Sequence, residues 1–196
     1  REKEATKEAM QYAMKKGPMR SVLIIGAILL VFLFFRPWVQ VGAGERGVVL
    51  NFGAVQDTVL NEGLHFRVPI QQKVAIMDVK VQKAVTDAVS GSADLQDVTS
   101  SVALNYHVVP DKANVVYQTI GVHFKERIID PAIQEVMKAV SARYSAEELI
   151  TKRAAVSEAM RANLAERLLP NNIAVDAVSI VAFSFSKIFT EAIESK

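Results

Sequence analysis

The chain has 196 residues, a formal net charge of +2 and no cysteine, and 51% of its residues are hydrophobic. That length suits one apolar anchor and one domain of about 150 residues, enough to bury a core without covalent staples. The composition excludes disulfides, zinc–thiolate centres and cysteine nucleophiles, and so small a charge, with no basic face studded with aromatics, excludes a nucleic-acid partner.

Residues 1–20 place Arg1, Lys3, Lys7, Lys15, Lys16 and Arg20 against Glu2, Glu4 and Glu8. This is a locally positive tail whose weak amphipathic pattern fits either a helix lying on lipid or a solvated segment. It precedes Ser21–Phe35, in which twelve of fifteen residues are Val, Leu, Ile or Phe. In a bilayer such a run satisfies its backbone polar groups only as a helix. Fifteen residues span about 22 Å, short of a hydrocarbon core of roughly 30 Å, so Arg36 and Trp38–Val41 are expected to complete the span. We therefore expect a transmembrane anchor over 21–41, carried by Leu23, Ile25, Leu29, Phe32 and Phe35, with Trp38 at headgroup level. A cleaved signal peptide is the rival reading, and Arg36-Pro37-Trp38, standing between the run and the small residues Val41-Gly42-Ala43, argues against it. The positive tail puts the N-terminus in the cytoplasm and the rest of the chain across the membrane. The sequence starts at Arg1 and stops inside a helical pattern, so further residues are expected at both ends.

Gly42-Ala43-Gly44-Glu45-Arg46-Gly47 spells G-x-G-x-x-G. A dinucleotide site needs a strand before that motif and a helix after it; here a membrane helix precedes and Val48–Phe52 reads as a strand, so a flexible exit from the bilayer is expected instead. A turn at Gly53, a strand near Val55–Leu60 and a turn at Asn61-Glu62-Gly63 follow. Lys73–Val89 alternates, with Ala75, Met77, Val79, Val81 and Val85 predicted to face a core. Val98–Val109 alternates more cleanly, with Val98, Val102, Leu104, Tyr106 and Val108 inward and Thr99, Ser101, Asn105 and His107 outward. Leu64, Phe66, Val68 and Ile70, beside turns soon after the anchor, form a candidate membrane-interface patch; filling the domain's own core is the equal alternative.

Past Pro110-Asp111 the period becomes helical: Phe124, Ile128, Ala132, Val136 and Val140 recur on a stripe widened by Ile129, Ile133 and Tyr144. Asp130-Pro131 either starts or kinks this helix. Ser145-Ala146-Glu147-Glu148 is a capping box that opens a second helix, with Leu149, Val156, Met160, Leu164 and Leu168 inward and Glu148 paired to Lys152 outside. Pro170-Asn171-Asn172 ends it. Ile173–Phe185 is the last strand, with Ile173, Val175, Ala177, Val181, Phe183 and Phe185 on one face, and helical character resumes over 187–196.

His65, His107 and His123 show no metal-ligand spacing, no glycine elbow or S-x-x-K presents a nucleophile, and the capping role explains Glu148 better than a carboxylate pair with Glu147. No catalytic residue, metal or cofactor is predicted. The charged surface of Glu148, Lys152, Arg153, Glu158 and Arg161, with Ile188 on a terminal helix seam, is the candidate for contacts between subunits.

Three stretches, Glu45–Pro69 (ERGVVLNFGAVQDTVLNEGLHFRVP), Asp94-Leu95-Gln96-Asp97-Val98 and Phe124–Arg167 with its AEELITKR segment, together with FSKIFTEAIESK at the end, give the chain its affinity. From about Gly42 onward it resembles the SPFH (stomatin, prohibitin, flotillin) superfamily, most closely the prohibitins. The resemblance implies an α+β fold: an anchor, a two-part SPFH domain over 42–186 with an antiparallel β-rich first part and a mixed second part, then the start of a coiled-coil helix over 187–196. It implies a non-enzymatic scaffold assembling with itself or a paralogous subunit into a large ring or cage, organising membrane lipids and proteins and modulating a membrane AAA+ protease. The alternative is a stomatin-like adaptor regulating a channel or transporter without a closed cage. The expected location is a bacterial plasma membrane, or the mitochondrial inner membrane in a eukaryote.

Overall fold

The computed structural model of the chain describes residues 22–30, 32 and 36–185. Residues 22–30 are helical (α1) and their bulky apolar side chains, Leu23, Ile25 and Leu29 among them, are exposed, as is Phe32. Among the described residues no helix is long and apolar enough to cross a membrane; the rest of the expected span, Phe35 included, lies outside them, as do the tail over 1–20 and the helix expected over 187–196.

Trp38–Val41, expected to finish the anchor, is a strand instead (β1). Pro37 disfavours helical backbone at the residue before it, and Arg36 turns the chain with a left-handed φ of +41°. β1 pairs antiparallel with β4 (Gly63–Phe66), Trp38 opposite Phe66 and Val41 opposite Gly63. Neither strand is legible as such from alternation, since each has only four residues. β2 (Glu45–Asn51) runs antiparallel between β3 (Ala54–Leu60) and β5 (Gln72–Asp78). The glycines before β2 are no loose exit: Ala43-Gly44 is a tight turn, and a Cβ on Gly44, whose φ is +72°, would fall 2.5 Å from the Lys80 side chain. Gly47 is buried, and a Cβ there would press on Leu60 and Val74 at 3.0 Å each. β2 begins inside this G-x-G-x-x-G, at Glu45, so no helix N-terminus is available to a pyrophosphate.

The single strand expected over Lys73–Val89 is two. After Met77 and Val79, both buried, the chain leaves the first sheet at Asp78-Val79-Lys80, where the Val79 N–H donates to Gly44 O and the Lys80 N–H to Asp78 Oδ1. β6 (Gln82–Gly91) then joins a different sheet, pairing with β7 (Asp97–Val108), which pairs in turn with β8 (Ile173–Phe185). The inward parity has flipped: Ala84, Ala88 and Ser90 are buried while Val81, Val85 and Val89 are exposed. Helix α3 packs on β6, and small side chains let it approach, which outweighs the preference for burying valines.

β7 (Asp97–Val108) is the central strand, and its expected inward set, Val98, Val102, Leu104, Tyr106 and Val108, is buried to 2% exposure or less. β8 (Ile173–Phe185) has the expected bounds but carries two bulges. Asp176 and Val181 are the extra residues, so the inward set becomes Ile173, Val175, Val178, Ile180, Phe183 and Phe185, opposite Val108, Tyr106, Leu104, Val102, Ser100 and Val98. Ala177 and Val181, expected inside, face out. Each bulge shifts a two-residue period by one.

On the inner face lie α3 (Asp130–Ser141) and α5 (Arg153–Leu168), packed on each other and on β6 and β8 respectively. A π-helical turn, Lys125–Ile129, precedes α3, so Pro131 falls in its first turn, where no N–H is missed. The extra residue rotates Ile129 fully inward and leaves Ile128 half-buried. The expected second helix is broken at Lys152 into α4 (Ala146–Thr151) and α5, both halves of the Ser145/Glu148 capping box are made, and Leu149, Val156, Met160, Leu164 and Leu168 are fully buried. Unforeseen is α2 (Ala113–Thr119), whose Asn114 side chain donates to the Gln56 and Asp57 carbonyls of β3 and so ties the two halves of the domain.

Candidate functional site

The registers of the first half sort its residues by end. β1 and β5 begin, β4 ends and β2 turns into β3 at the same end, so Trp38, Phe52, Phe66, Val68 and Ile70 gather there, next to the chain's exit from α1. Phe66 is 76% exposed, Ile70 81% and Phe52 80%; Leu64 and Val68 are also exposed. The four predicted interface residues therefore do not fill the domain's own core. Phe52 was missed because the sequence reads it as the last residue of a strand, whereas β2 ends at Asn51 and Phe52 lies in the turn. Its backbone φ is +48° and that of Ile70 +72°, conformations that cost bulky residues roughly 1–3 kcal/mol each. The Phe52 N–H donates to Gln71 O at 2.8 Å, which holds the two turns together. The same end is laced by Arg67 N–H to Pro37 O at 2.7 Å, Gln72 N–H to Val68 O at 2.9 Å and Val68 N–H to Gln72 Oε1 at 2.9 Å. Trp38 lies with its ring centroid 6.1 Å from that of Phe32.

The opposite end is acidic. Glu45 Oε2 accepts the Gly42 N–H at 3.0 Å, and Glu62 Oε1 accepts the Gly44 N–H at 3.0 Å and meets Arg46 at 3.3 Å. The Gly44 hydrogen bond, then Arg46, holds the Glu62 carboxyl below the ordinary glutamate range.

The candidate subunit-contact surface divides. Glu148 and Lys152 pair at 2.7 Å, and Glu158 pairs with Arg161 one turn on. The Lys152 ammonium, then the Ser145 N–H, lowers the Glu148 carboxyl, Glu148 raises Lys152, and Arg161 lowers Glu158. These exposed pairs contribute little to stability and remain accessible. Arg153 is different: its guanidinium donates to the carbonyls of Ile180 and Val181, the second at 2.9 Å, at the second bulge of β8. It is engaged within the chain. Ile188 lies outside the described residues. Sequence reasoning missed the ion pair of Arg167 on α5 with Glu135 on α3, and the Lys125–Asp130 pair, whose Asp130 Oδ1 also accepts the Thr86 hydroxyl at 2.6 Å.

Among the described residues no three His, Asp or Glu side chains are grouped to hold a metal. His107 Nδ1 bonds Asp176, the first bulge residue of β8, at 2.9 Å, and His65 Nε2 contacts Asn61 O at 2.7 Å; the histidines act separately.

Residues 39–196 match the SPFH domain / Band 7 family. The chain is 41% identical over 158 residues to "Prohibitin-7, mitochondrial" of Arabidopsis thaliana, covering 80% of this chain and 57% of that one. It is 35% identical over 176 residues to "Prohibitin-2" of Xenopus tropicalis, covering 89% and 58%, and 37% identical over 158 residues to "Prohibitin 1" of Mus musculus, covering 80% and 58%. The chain thus spans less than two thirds of the length of these relatives. The bacterial plasma membrane expected from the sequence finds no support among them, whereas the mitochondrial alternative agrees with the name of the plant relative. With a family match running from the second residue of β1 through the whole α+β domain and its three sheets, the chain belongs to the SPFH domain / Band 7 family, and its similar relatives are prohibitins.

Proposed function

We propose that this chain is part of a non-enzymatic, prohibitin-like membrane scaffold. The residues of 21–37 anchor it in a bilayer with the SPFH domain on the side opposite the positively charged N-terminal tail, and the end bearing Phe52, Phe66, Val68 and Ile70 rests on the lipid. The mitochondrial name among its relatives favours the mitochondrial inner membrane. The observation behind the reading is that exposed apolar end, continuous with the apolar helix α1 and built from two turns whose bulky residues are held in costly backbone conformations. One helix per subunit fixes orientation and confines encounters to a plane, so one heterologous contact repeated around an axis closes a ring. The exposed pairs Glu148–Lys152 and Glu158–Arg161 contribute to that contact, and a helix from Lys187 through Ile188 continues each subunit into a parallel coiled-coil wall. Such a wall would enclose lipids and membrane proteins and limit a membrane AAA+ protease's access to them.

Sedimentation of the full-length protein in mild detergent tests the reading. A large homogeneous assembly, or one completed by a paralogous subunit, is expected. A monomer would overturn the scaffold and leave the stomatin-like adaptor standing.

A further inference from the structure

Between the β1–β4 pair and the edge of the β3-β2-β5 sheet lies an open groove of about 600 Å³, lined by Arg36, Trp38, Gln40, Arg67, Lys73 and Val74 among others. Three of these residues are cationic and none is acidic. Among the described residues no carboxylate forms a salt bridge with Arg36, Arg67 or Lys73, whereas Arg46, at the far end of the same domain, is paired with Glu62. The strand registers explain the division. Glu45 and Asp78 face each other at the β2 start and β5 end, Glu62 lies in the β3–β4 turn, and Lys73 sits near the opposite end of β5. The half-buried Arg67 is oriented by two backbone links: its N–H donates to Pro37 O, and its Nη1 donates to Gln72 O at 3.1 Å. A guanidinium offers five donors in a fixed fork that suits phosphate oxygens, so four of them remain for a ligand.

We propose that this groove binds the phosphate of an anionic glycerophospholipid. Arg67 supplies the fork, Lys73 and Arg36 supply neutralising charge, and the acyl chains run beside Trp38 and the exposed Phe66 towards α1. The chemistry shared with any soluble phosphate is the cationic cradle. The apolar surroundings assign it to lipid, because Trp38, Phe66 and Ile70 offer a free phosphate nothing and would sit beside lipid tails in a domain resting on a bilayer. The inference deepens the membrane reading and rests on it, and it adds a headgroup preference that burial of apolar side chains alone would not produce.

Trp38 is the only tryptophan in the chain and lines the groove, so its fluorescence reports occupancy without a label. The whole chain in neutral detergent is titrated with dihexanoyl phosphatidylglycerol, dihexanoyl phosphatidylcholine and inorganic phosphate. A saturable change in Trp38 emission is expected with the phosphatidylglycerol, at concentrations at least about tenfold below those at which either of the others acts. Lys73→Gln and Arg36→Gln, both at exposed side chains, should each weaken it about fivefold, and together roughly 25-fold. Arg67→Gln should abolish it, and because that change also removes a structural hydrogen bond, the two exposed variants decide the matter. Equal response to phosphatidylcholine, equal response to inorganic phosphate, or phosphatidylglycerol affinity unchanged in the Lys73→Gln/Arg36→Gln double variant would each overturn the proposal. Sedimentation separates the two readings: a large assembly with no headgroup preference refutes the groove alone, and a monomer that keeps the preference refutes the scaffold alone.

Discussion

Replacing Arg153 separates two roles for one side chain. In the structure it begins α5 and donates to the Ile180 and Val181 carbonyls of β8, and Val181 is the residue that the bulge leaves without a partner on β7. Charge-assisted hydrogen bonds contribute about 1.5–3 kcal/mol each when sheltered. Here the residue is exposed and the freed carbonyls can turn to water, so Arg153→Ala should cost about 1–3 kcal/mol in all. For a domain near 150 residues that lowers Tm by roughly 2–12 °C. Both bonds come from the terminal Nη2; Arg153→Lys keeps the charge but places its ammonium one bond short of that nitrogen, and should recover less than half of the loss. Thermal melts followed by circular dichroism, run beside sedimentation of the same samples, give both readouts. If Arg153→Ala melted with the wild type while its assembly fell apart, the intrachain clamp would be wrong and Arg153 would belong to the subunit contact surface predicted from the sequence.

Leu164 is fully buried on α5, so Leu164→Ala should lose about 2–5 kcal/mol with an unchanged denaturant slope in urea unfolding; a loss below about 1 kcal/mol would mean that α5 does not close the core. Phe66→Ser with Ile70→Ser should leave Tm unchanged, because both side chains are exposed, while a dye on a single cysteine introduced at Val68 loses its bilayer-induced blue shift; a lowered Tm would return these residues to the core. The folded-state pKa of Glu62 is depressed, so its stabilisation is present above the ordinary glutamate value of about 4.3 and is lost as pH falls through the lower folded value. Melting curves between pH 7 and pH 3 should therefore fall less steeply for Glu62→Gln than for the wild type, and parallel curves would refute the link to Gly44 and Arg46.

The second half of the domain was largely legible because its strongest signals are long and one-sided. Twelve residues of β7, with a two-residue alternation interrupted by Ser100 at an inward position, leave one register that buries the apolar face, and five inward residues of the α4–α5 pair recur at helical spacing behind a complete capping box. Apart from the unforeseen α2 and the break at Lys152, the misreadings there are errors of parity. A bulge adds one residue to a strand without marking itself in composition, so the first bulge, at Asp176, silently exchanged the faces of β8 and the second, at Val181, restored them. In β6 the inward face is chosen by how close α3 must come, a tertiary demand that Ala84 and Ala88 meet and the more hydrophobic Val85 and Val89 do not.

In the first half the failures have a different cause. β1 and β4 are too short for a period to register, and the glycine run reads as slack only until Lys80 and Val74 are known to fill the space a side chain would need. Phe52 and Ile70 defy local preference outright: bulky side chains with positive φ and high exposure contradict both the backbone rule for L-residues and the burial rule for apolar ones. Leu95, between β6 and β7, shows the same combination elsewhere, with φ +60° and 91% exposure; at the end of the first half two such residues stand together beside an apolar helix and an unneutralised cationic groove, and that coincidence points to selection for something other than the stability of the isolated domain. On the proposed membrane reading, a bilayer would supply the missing partner for each violation at this end, taking up the exposed rings and aliphatic chains and matching the cations with phosphates. The far end of the same sheet, where Glu62 and Arg46 satisfy each other and Gly44 takes the left-handed turn, breaks none of these rules.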